Sequence, residues 1–372
     1  MPTIKAVEAR TVRIPLDAPV AFSTRRVDAR HYTIARITCS DGSVGHGFCH
    51  GGTRFGGLAS TAIRELFAPL MIGRDPHCSE RIWQDLHQDT LLNGRAGAVM
   101  RALSAVDIAL WDRNARSAGL PLWRYLGGFR TETVPAYASG GYYTQGGVAD
   151  LRREIERAVI LGFKAVKLKI GGASPADDAA RIAIAREIVG PDGILLLDAN
   201  NAWRDLASAL RAIRPLLAYD IFLIEEPFGP DDYENHRRLA TAIPVAIASG
   251  EILGGRHAHR DLIERGGVSI LQPDAAVCGG VTEWRRIAAM AASAGVPVMP
   301  HSFHALHLHL VASVPNGAYV EYFPDDSILP FHRLLDRQVD TRGGEIVLPT
   351  TPGLGFEIET DALEWFALEP WS

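Results

Sequence analysis

Eight short apolar runs punctuate the chain from residue 134 onwards: VPAYAS (134–139), AVKLKI (165–170), ILLLDAN (194–200), IFLIEEP (221–227), PVAIASGE (244–251), VSILQPD (268–274), PVMPH (297–301) and AYVEYF (318–323). Each begins one strand, one Ala/Arg-rich amphipathic helix and two short loops after the run before it. Crossovers between parallel strands are right-handed, and eight such units close into a (β/α)8 barrel. An open doubly wound sheet is the competing architecture. It needs a glycine-rich phosphate turn after its first strand, and none follows VPAYAS.

Ahead of these units the texture differs. Residues 3–14 and 31–39 alternate like strands, the Asp41-Gly42 pair is a hairpin signal, and 58–126 carries helical periodicity. Strands followed by helices predict a small α+β capping domain over 1–130, set against a barrel over 131–340. The tail over 341–372 returns to strand and turn chemistry in GGEIVLPTTPGLGFEI (343–358) and is expected to pack back onto the first domain.

Charge removes several classes of function. A formal net charge of -5 without a Lys/Arg-rich run lacks the footprint of a nucleic-acid binder. No stretch approaches the ~18 uninterrupted apolar residues of a membrane span. The opening MPTIKAVEARTVRIPL alternates like a strand and offers no signal-peptide core, so a cytoplasmic protein is expected. Cys39, Cys49, Cys78 and Cys278 show no CxxC spacing, the pattern expected of buried thiols in a reducing compartment rather than of a disulfide frame or zinc site.

In a parallel barrel the C-terminal strand ends surround the active site, and here they are charged. Run two closes with Lys169, three with Asp198, four with Glu225 and Glu226, five with Glu251, six with Asp274 and seven with His301, while run eight carries Glu321. Asp198, Glu225 and Glu251 are 27 and 26 residues apart, one unit each, which sets three carboxylates side by side. Alone they would repel, and at least one would hold a proton. A hard divalent cation satisfies them, and oxygen ligands with room for water and substrate suit Mg²⁺, or Mn²⁺ in its place.

Alternation in AVKLKI puts Val166, Leu168 and Ile170 on one face and Lys167 and Lys169 on the other, aimed at that site. Crowding of two ammonium groups predicts that one of them is a neutral amine. Asp274 and His301 stand one unit apart, where the carboxylate can fix the imidazole tautomer of a general acid/base.

Together KLK (167–169), DAN (198–200), EEP (225–227), GE (250–251), PDAAVCGGVTEW (273–284), His301 and PGLG (352–355) resemble the mandelate racemase subgroup of the enolase superfamily, over essentially the whole chain. The resemblance implies Mg²⁺ on Asp198, Glu225 and Glu251, Lys169 as one base, and His301 with Asp274 as the other. It implies that Lys167 and Glu321 steady an enediolate, Glu321 as a protonated donor. The muconate-lactonising branch carries a lysine at the end of strand six and usually Asp as third ligand; Asp274 and Glu251 stand there instead. The family pattern makes Glu225 the ligand, and strand alternation turns Glu226 away. Substrate is expected to meet Asn200 and Ser139 at the rim. Arg25 would reach it from the capping stretch 17–31, Arg54 from GGTRFGG (51–57), read as a mobile lid, and His50 from just ahead of that loop.

Two decoys are set aside. HSFHALHLHL (301–310) is no HExxH, and His304, His307 and His309 fall beyond the strand end; GGTRFGG is neither a Walker loop nor GxGxxG. A zinc hydrolase on the same barrel would close strand one with HxH, where this chain has Tyr137 and Ser139. A binding protein without chemistry would not need two bases beside a metal. The expected reaction removes the proton α to a carboxylate and then eliminates a β-hydroxyl, as in an acid-sugar dehydratase giving a 2-keto-3-deoxy acid. Racemisation or epimerisation by the same two bases is the alternative. The partner is a small-molecule carboxylate, polyhydroxylated or doubly acidic, and a homo-oligomer is expected.

Overall fold

The computed structural model describes residues 1–53, 56–325 and 327–372. Alternating apolar residues build an antiparallel sheet from β1 (Ile4–Phe22), β2 (Arg25–Cys39) and β3 (Val44–Gly52), in that order. The hairpin signal sits where expected: Gly42 has φ 81°, and the Asp41 carboxylate accepts the Ser43 N–H at 3.0 Å. The helix Gly97–Ser117 lies directly on this sheet. Its closeness is set by two glycines of β3: a Cβ on Gly45 would stand 2.2 Å from the Ala109 carbonyl oxygen, and one on Gly47 2.0 Å from that of Ala105.

The second half forms parallel strands β4 (Thr133–Ser139), β5 (Ala165–Lys169), β6 (Ile194–Asp198), β7 (Ile221–Glu225), β8 (Ala246–Ser249) and β9 (Ile270–Leu271). The seventh run enters only as a bridge, Val298 pairing with Leu271 on one side and Gly317 on the other. β10 (Val320–Tyr322) then pairs with β4 and closes the ring. Side-chain alternation sorts the strands into two layers. Tyr137, Ala165, Leu196, Leu223, Ala248, Ile270 and Met299 fill the barrel interior, whereas Val166, Leu168, Leu195, Leu197, Ile224 and Ile247 join the core beneath the helices. The repeat stops short of its last helix: between β10 and the tail strands that begin at Thr341, the described residues hold only a 3-10 turn, Pro330–Leu334.

The tail departs from expectation. Before reaching the first sheet it forms β11 (Thr341–Arg342) and β12 (Glu345–Val347), and β12 pairs antiparallel with Thr133–Pro135 of β4. β10 covers only Ala136–Ala138 of that strand, so the start of β4 presents an edge that β12 satisfies. The chain then places its end along β1, with the Leu368 N–H donating to Thr11 and the Ala9 N–H to Ser372, each at 2.9 Å. PGLG locks the halves together: Gly353 has φ 72° against Asp112, whose carboxylate accepts the Leu354 N–H at 2.9 Å. No described helix is long and apolar enough to cross a membrane.

Candidate active site

Register brings the charges into line. Lys169 of β5 lies opposite Asp198 of β6, which lies opposite Glu225 of β7. Glu251 follows the end of β8, and the three carboxylates offer oxygens within 4.8 Å of one another, all buried. The strand ends also concentrate backbone strain. Asn200, Asn201, Glu226, Ser302 and Phe303 all have φ between 29° and 63°, a left-handed region that costs a non-glycine residue about 1–3 kcal/mol and marks functional sites.

Lys167 is fully buried inside this cluster. Its Nζ donates to both Glu225 oxygens at 2.8 and 2.9 Å and lies 2.7 Å from Glu321. Lys169 donates to Asp198 and lies over the Tyr142 ring, 5.0 Å from its centroid. Burial alone would push both lysines down, but the carboxylates in contact outweigh it: Glu225 and Glu321 raise Lys167, and Asp198 raises Lys169. The expectation of one neutral amine therefore fails in this arrangement, because the carboxylates in contact with each ammonium outweigh the other ammonium.

The acids share the strain unequally. Burial and the neighbouring Asp198 push Glu225 up to about 8. Burial would raise Asp198 too, but Lys169 and Lys167 hold it below the usual carboxylate range. The triad thus crowds more negative charge than its neighbours offset, the instability that a cation removes. The donor set is all oxygen, and Glu251 Oε2 is buried without a partner; both fit a hard divalent cation such as Mg²⁺.

On the other flank His301 and Asp274 form the expected pair. The imidazole Nδ1–H donates to Asp274 Oδ2 at 3.0 Å, and Nε2 lies 3.6 Å from Glu251. Burial opposes the imidazolium, yet Glu251 and Asp274 prevail and raise His301 to about 9. Asp274 Oδ1 accepts the Ala276 N–H at 2.8 Å and so caps the short helix that follows. His307 belongs to this scaffold, accepting the Ala275 N–H and donating to Ser302 O. His309 accepts the Trp123 N–H and donates to Leu354 O. Both are structural.

Three further readings change. Glu321 is an acceptor here, not a protonated donor: burial would raise it, but Lys167 and His301 hold it far below, and it receives the Ser139 hydroxyl and the Ser302 N–H, each at 2.6 Å. Ser139 is thereby committed behind the cavity wall. Glu226 does not turn away. The strand ends at Glu225, and the left-handed turn at Glu226 cancels the alternation and sets its carboxylate into the mouth.

Lys169, Asn200, Glu251, Asp274 and His301 line one cavity of ≈170 Å³, together with Arg25 and His50 from the cap. Arg54 lies outside the described residues. Ser23 at the tip of the β1–β2 hairpin donates to the carbonyls of Ala199 and Asn200, pinning the cap to the barrel mouth. A larger cavity of ≈400 Å³ opens near the helix Gly147–Ile160, but it gathers none of the strand-end charges named above. Sequence reasoning missed Arg30, Arg101, Asn201 and Gln272. The parity of QPD could have found Gln272, which shares the inward face with Asp274 and donates to Glu225 at 2.6 Å. No local pattern marks the two arginines.

A capped parallel barrel with a buried carboxylate triad among its strand-end charges defines a class of metal-dependent enzyme. Residues 4–127 match the mandelate racemase / muconate lactonizing enzyme N-terminal domain and residues 150–362 the enolase C-terminal domain-like family, and the chain belongs to the mandelate racemase / muconate lactonizing enzyme family. Among its relatives, the D-galactarolactone cycloisomerase of Agrobacterium fabrum is 32% identical over 98% of this chain and 99% of its own. The L-talarate/galactarate dehydratase of Salmonella typhimurium is 33% identical over 90% of this chain and 82% of its own. Its crystal structure superposes with a TM-score of 0.92 at 30% identity, covering 100% of this chain and 93% of that one. A racemase from Streptomyces coelicolor with bound magnesium gives a TM-score of 0.92 at 31% identity, over 98% and 100% of the two chains.

Proposed function

We propose that this chain removes the proton α to the carboxylate of an acid sugar and expels the oxygen at the β carbon, a dehydration giving a 2-keto-3-deoxy acid. The observation that carries the reading is the order around the ring: Lys169 on one flank, the triad of Asp198, Glu225 and Glu251 in the middle, His301 with Asp274 on the other flank. A cation held by the triad supplies positive charge for the substrate carboxylate, which favours the dianionic product of proton loss. Lys169 Nζ takes the α-proton as a free amine, having released its own proton to solvent once Asp198 no longer holds it as an ammonium. His301, held as imidazolium by Asp274 and Glu251, gives its Nε2 proton to the departing hydroxyl. Lys167 remains among Glu225 and Glu321 and adds fixed positive charge beside the substrate carboxylate. Dehydratases of galactarate, arabinonate and rhamnonate among the relatives support the substrate class.

Cycloisomerisation is a second reading, favoured by the near end-to-end match to the galactarolactone enzyme. Its chemistry begins identically. If the β oxygen belongs to a ring of the same molecule, expulsion opens the ring without releasing water. Both readings are tested by supplying aldonic and aldaric acids, with their lactones and anhydro derivatives, in Mg²⁺ and following keto-acid formation. Keto acid from open-chain acids supports dehydration, and ring opening alone supports cycloisomerisation. Interconversion of epimers without keto acid would replace both with the two-base epimerase.

A further inference from the structure

The acids and the unpaired cations on the walls of the active cavity come from different domains. Its acidic lining residues, Glu226, Glu251 and Asp274, all come from the barrel. The cap supplies Arg25, Arg30 and Arg101, and none of these has an ion-pair partner among the described residues. Arg30 and Arg101 are half-buried and fixed by carbonyls: Arg30 Nε donates to Ile328 O at 2.9 Å, and Arg101 Nη1 to His50 O at 2.7 Å. Each uses one of the five N–H donors a guanidinium carries. Arg25 is exposed at the hairpin tip and lies 5.6 Å from the centre of the Phe22 ring. His50 sits among them with its Nε2 buried and unpartnered. Burial first, then the Arg30 and Arg101 charges, keep that imidazole neutral.

A metal would answer Glu251, and His301 answers Asp274, but the three cations of the cap wall are left without an ion-pair partner among the described residues. We propose that this wall is a subsite for a second carboxylate, so that the substrate is a dicarboxylic sugar acid: one carboxylate lies at the metal end and the other is held by Arg101 and Arg30, with Arg25 closing over it. Planar guanidinium forks match carboxylates in two parallel hydrogen bonds, and neutral His50 supplies a further polar contact. At ≈170 Å³ the cavity equals the share of about six waters, room for a compact sugar acid and not for a nucleotide or polymer. The inference rests on the acid-sugar reading above and narrows it from monoacids and diacids to diacids.

The test is calorimetric titration of the Mg²⁺-loaded enzyme with galactarate and glucarate, with the monoacids galactonate and gluconate, and with gluconate 6-phosphate. At least one diacid should bind at least ~10²-fold more tightly than its monoacid counterpart, the effect of one or two charge-assisted hydrogen bonds. Arg101→Met should bring that ratio within about tenfold, by weakening the diacid and not the monoacid. Arg25→Met, at an exposed position where folding is not at issue, should lower the ratio in the same direction. Equal or tighter binding of monoacids overturns the inference, as do failure of every sugar acid to bind, tighter binding of the phosphate, and an unchanged ratio in both variants. The two readings fail separately: keto acid formed mainly from monoacids sinks the diacid subsite and leaves the dehydratase standing. Diacid-selective binding with neither turnover nor α-proton exchange does the reverse.

Discussion

Replacing Asp274 with asparagine separates what this carboxylate does for the fold from what it does for His301. Asp274 Oδ1 accepts the Ala276 N–H at 2.8 Å, and Oδ2 accepts from His301 Nδ1 at 3.0 Å. An asparagine amide has one oxygen and one NH₂ to meet two donors. If its oxygen keeps the cap, as asparagine does nearly as well as aspartate, its NH₂ must face His301. The reverse orientation points NH₂ at a buried backbone N–H and costs about 1–3 kcal/mol. The imidazole must then accept at Nδ1 and keep its only proton on Nε2, which disfavours the imidazolium that acts as the acid, and it also loses a negative neighbour. A charge-assisted hydrogen bond contributes about 1.5–3 kcal/mol, which is about one to two units of imidazole pKa. Activity that needs the imidazolium is present below that pKa and lost above it, so in Asp274→Asn the alkaline limb of kcat/KM should move to lower pH by about one to two units. Turnover should fall by about 10²–10⁴, with the chain still folded and destabilised by no more than the ~1.5–3 kcal/mol of the lost charge-assisted bond. An unmoved limb with turnover within threefold of wild type would refute the dyad; a collapsed melting temperature would refute the cap argument.

Removing the metal tests the triad: EDTA should abolish activity and Mg²⁺ restore it, and at 100 times its Kd Mg²⁺ should add about 2.7 kcal/mol of stability that Glu225→Gln loses. Rescue by Zn²⁺ alone would contradict a hard-cation site. In D₂O, Lys169→Met and His301→Asn should each silence α-proton exchange from one configuration only, read by NMR. Keto acid persisting in both variants would show that neither residue is the base. His309→Ala should leave the alkaline limb in place but destabilise the protein by about 1–3 kcal/mol, measured by urea titration, because the Trp123 N–H and Leu354 carbonyl are left buried and unpaired. Gly353→Ala should cost about 2–5 kcal/mol, summing overpacking against Asp112 with a left-handed backbone; a loss below about 0.5 kcal/mol would show that the PGLG turn relaxes.

What the sequence determined was everything that follows from periodicity. A strand has period two, so AVKLKI already separates Val166 and Leu168, which pack beneath the helices, from Lys167 and Lys169, which face inward. A barrel unit has nearly constant length, so Asp198, Glu225, Glu251, Asp274 and His301 fall on one rim. The repeat also implies closure, though the seventh strand is only a bridge at Val298.

Only tertiary structure decided what periodicity does not reach. Alternation holds while the backbone stays extended, and one left-handed residue at Glu226 was enough to bring an acid expected elsewhere into the mouth. Charge states depended on which neighbours stood in contact: the two lysines repel on paper, but each meets a carboxylate first, and Glu321 becomes an acceptor for the same reason. The tail joined β4 because β10 leaves the start of that strand uncovered, a fact about the partner strand and not about the tail. Arg30 and Arg101 belong to a strand and a helix of the cap whose local patterns give them no distinction. Their place on the cavity wall arises only when the cap, pinned by Ser23, settles over the barrel mouth. Local rules fix which way a side chain leaves its own element, whereas what it meets depends on how distant elements dock.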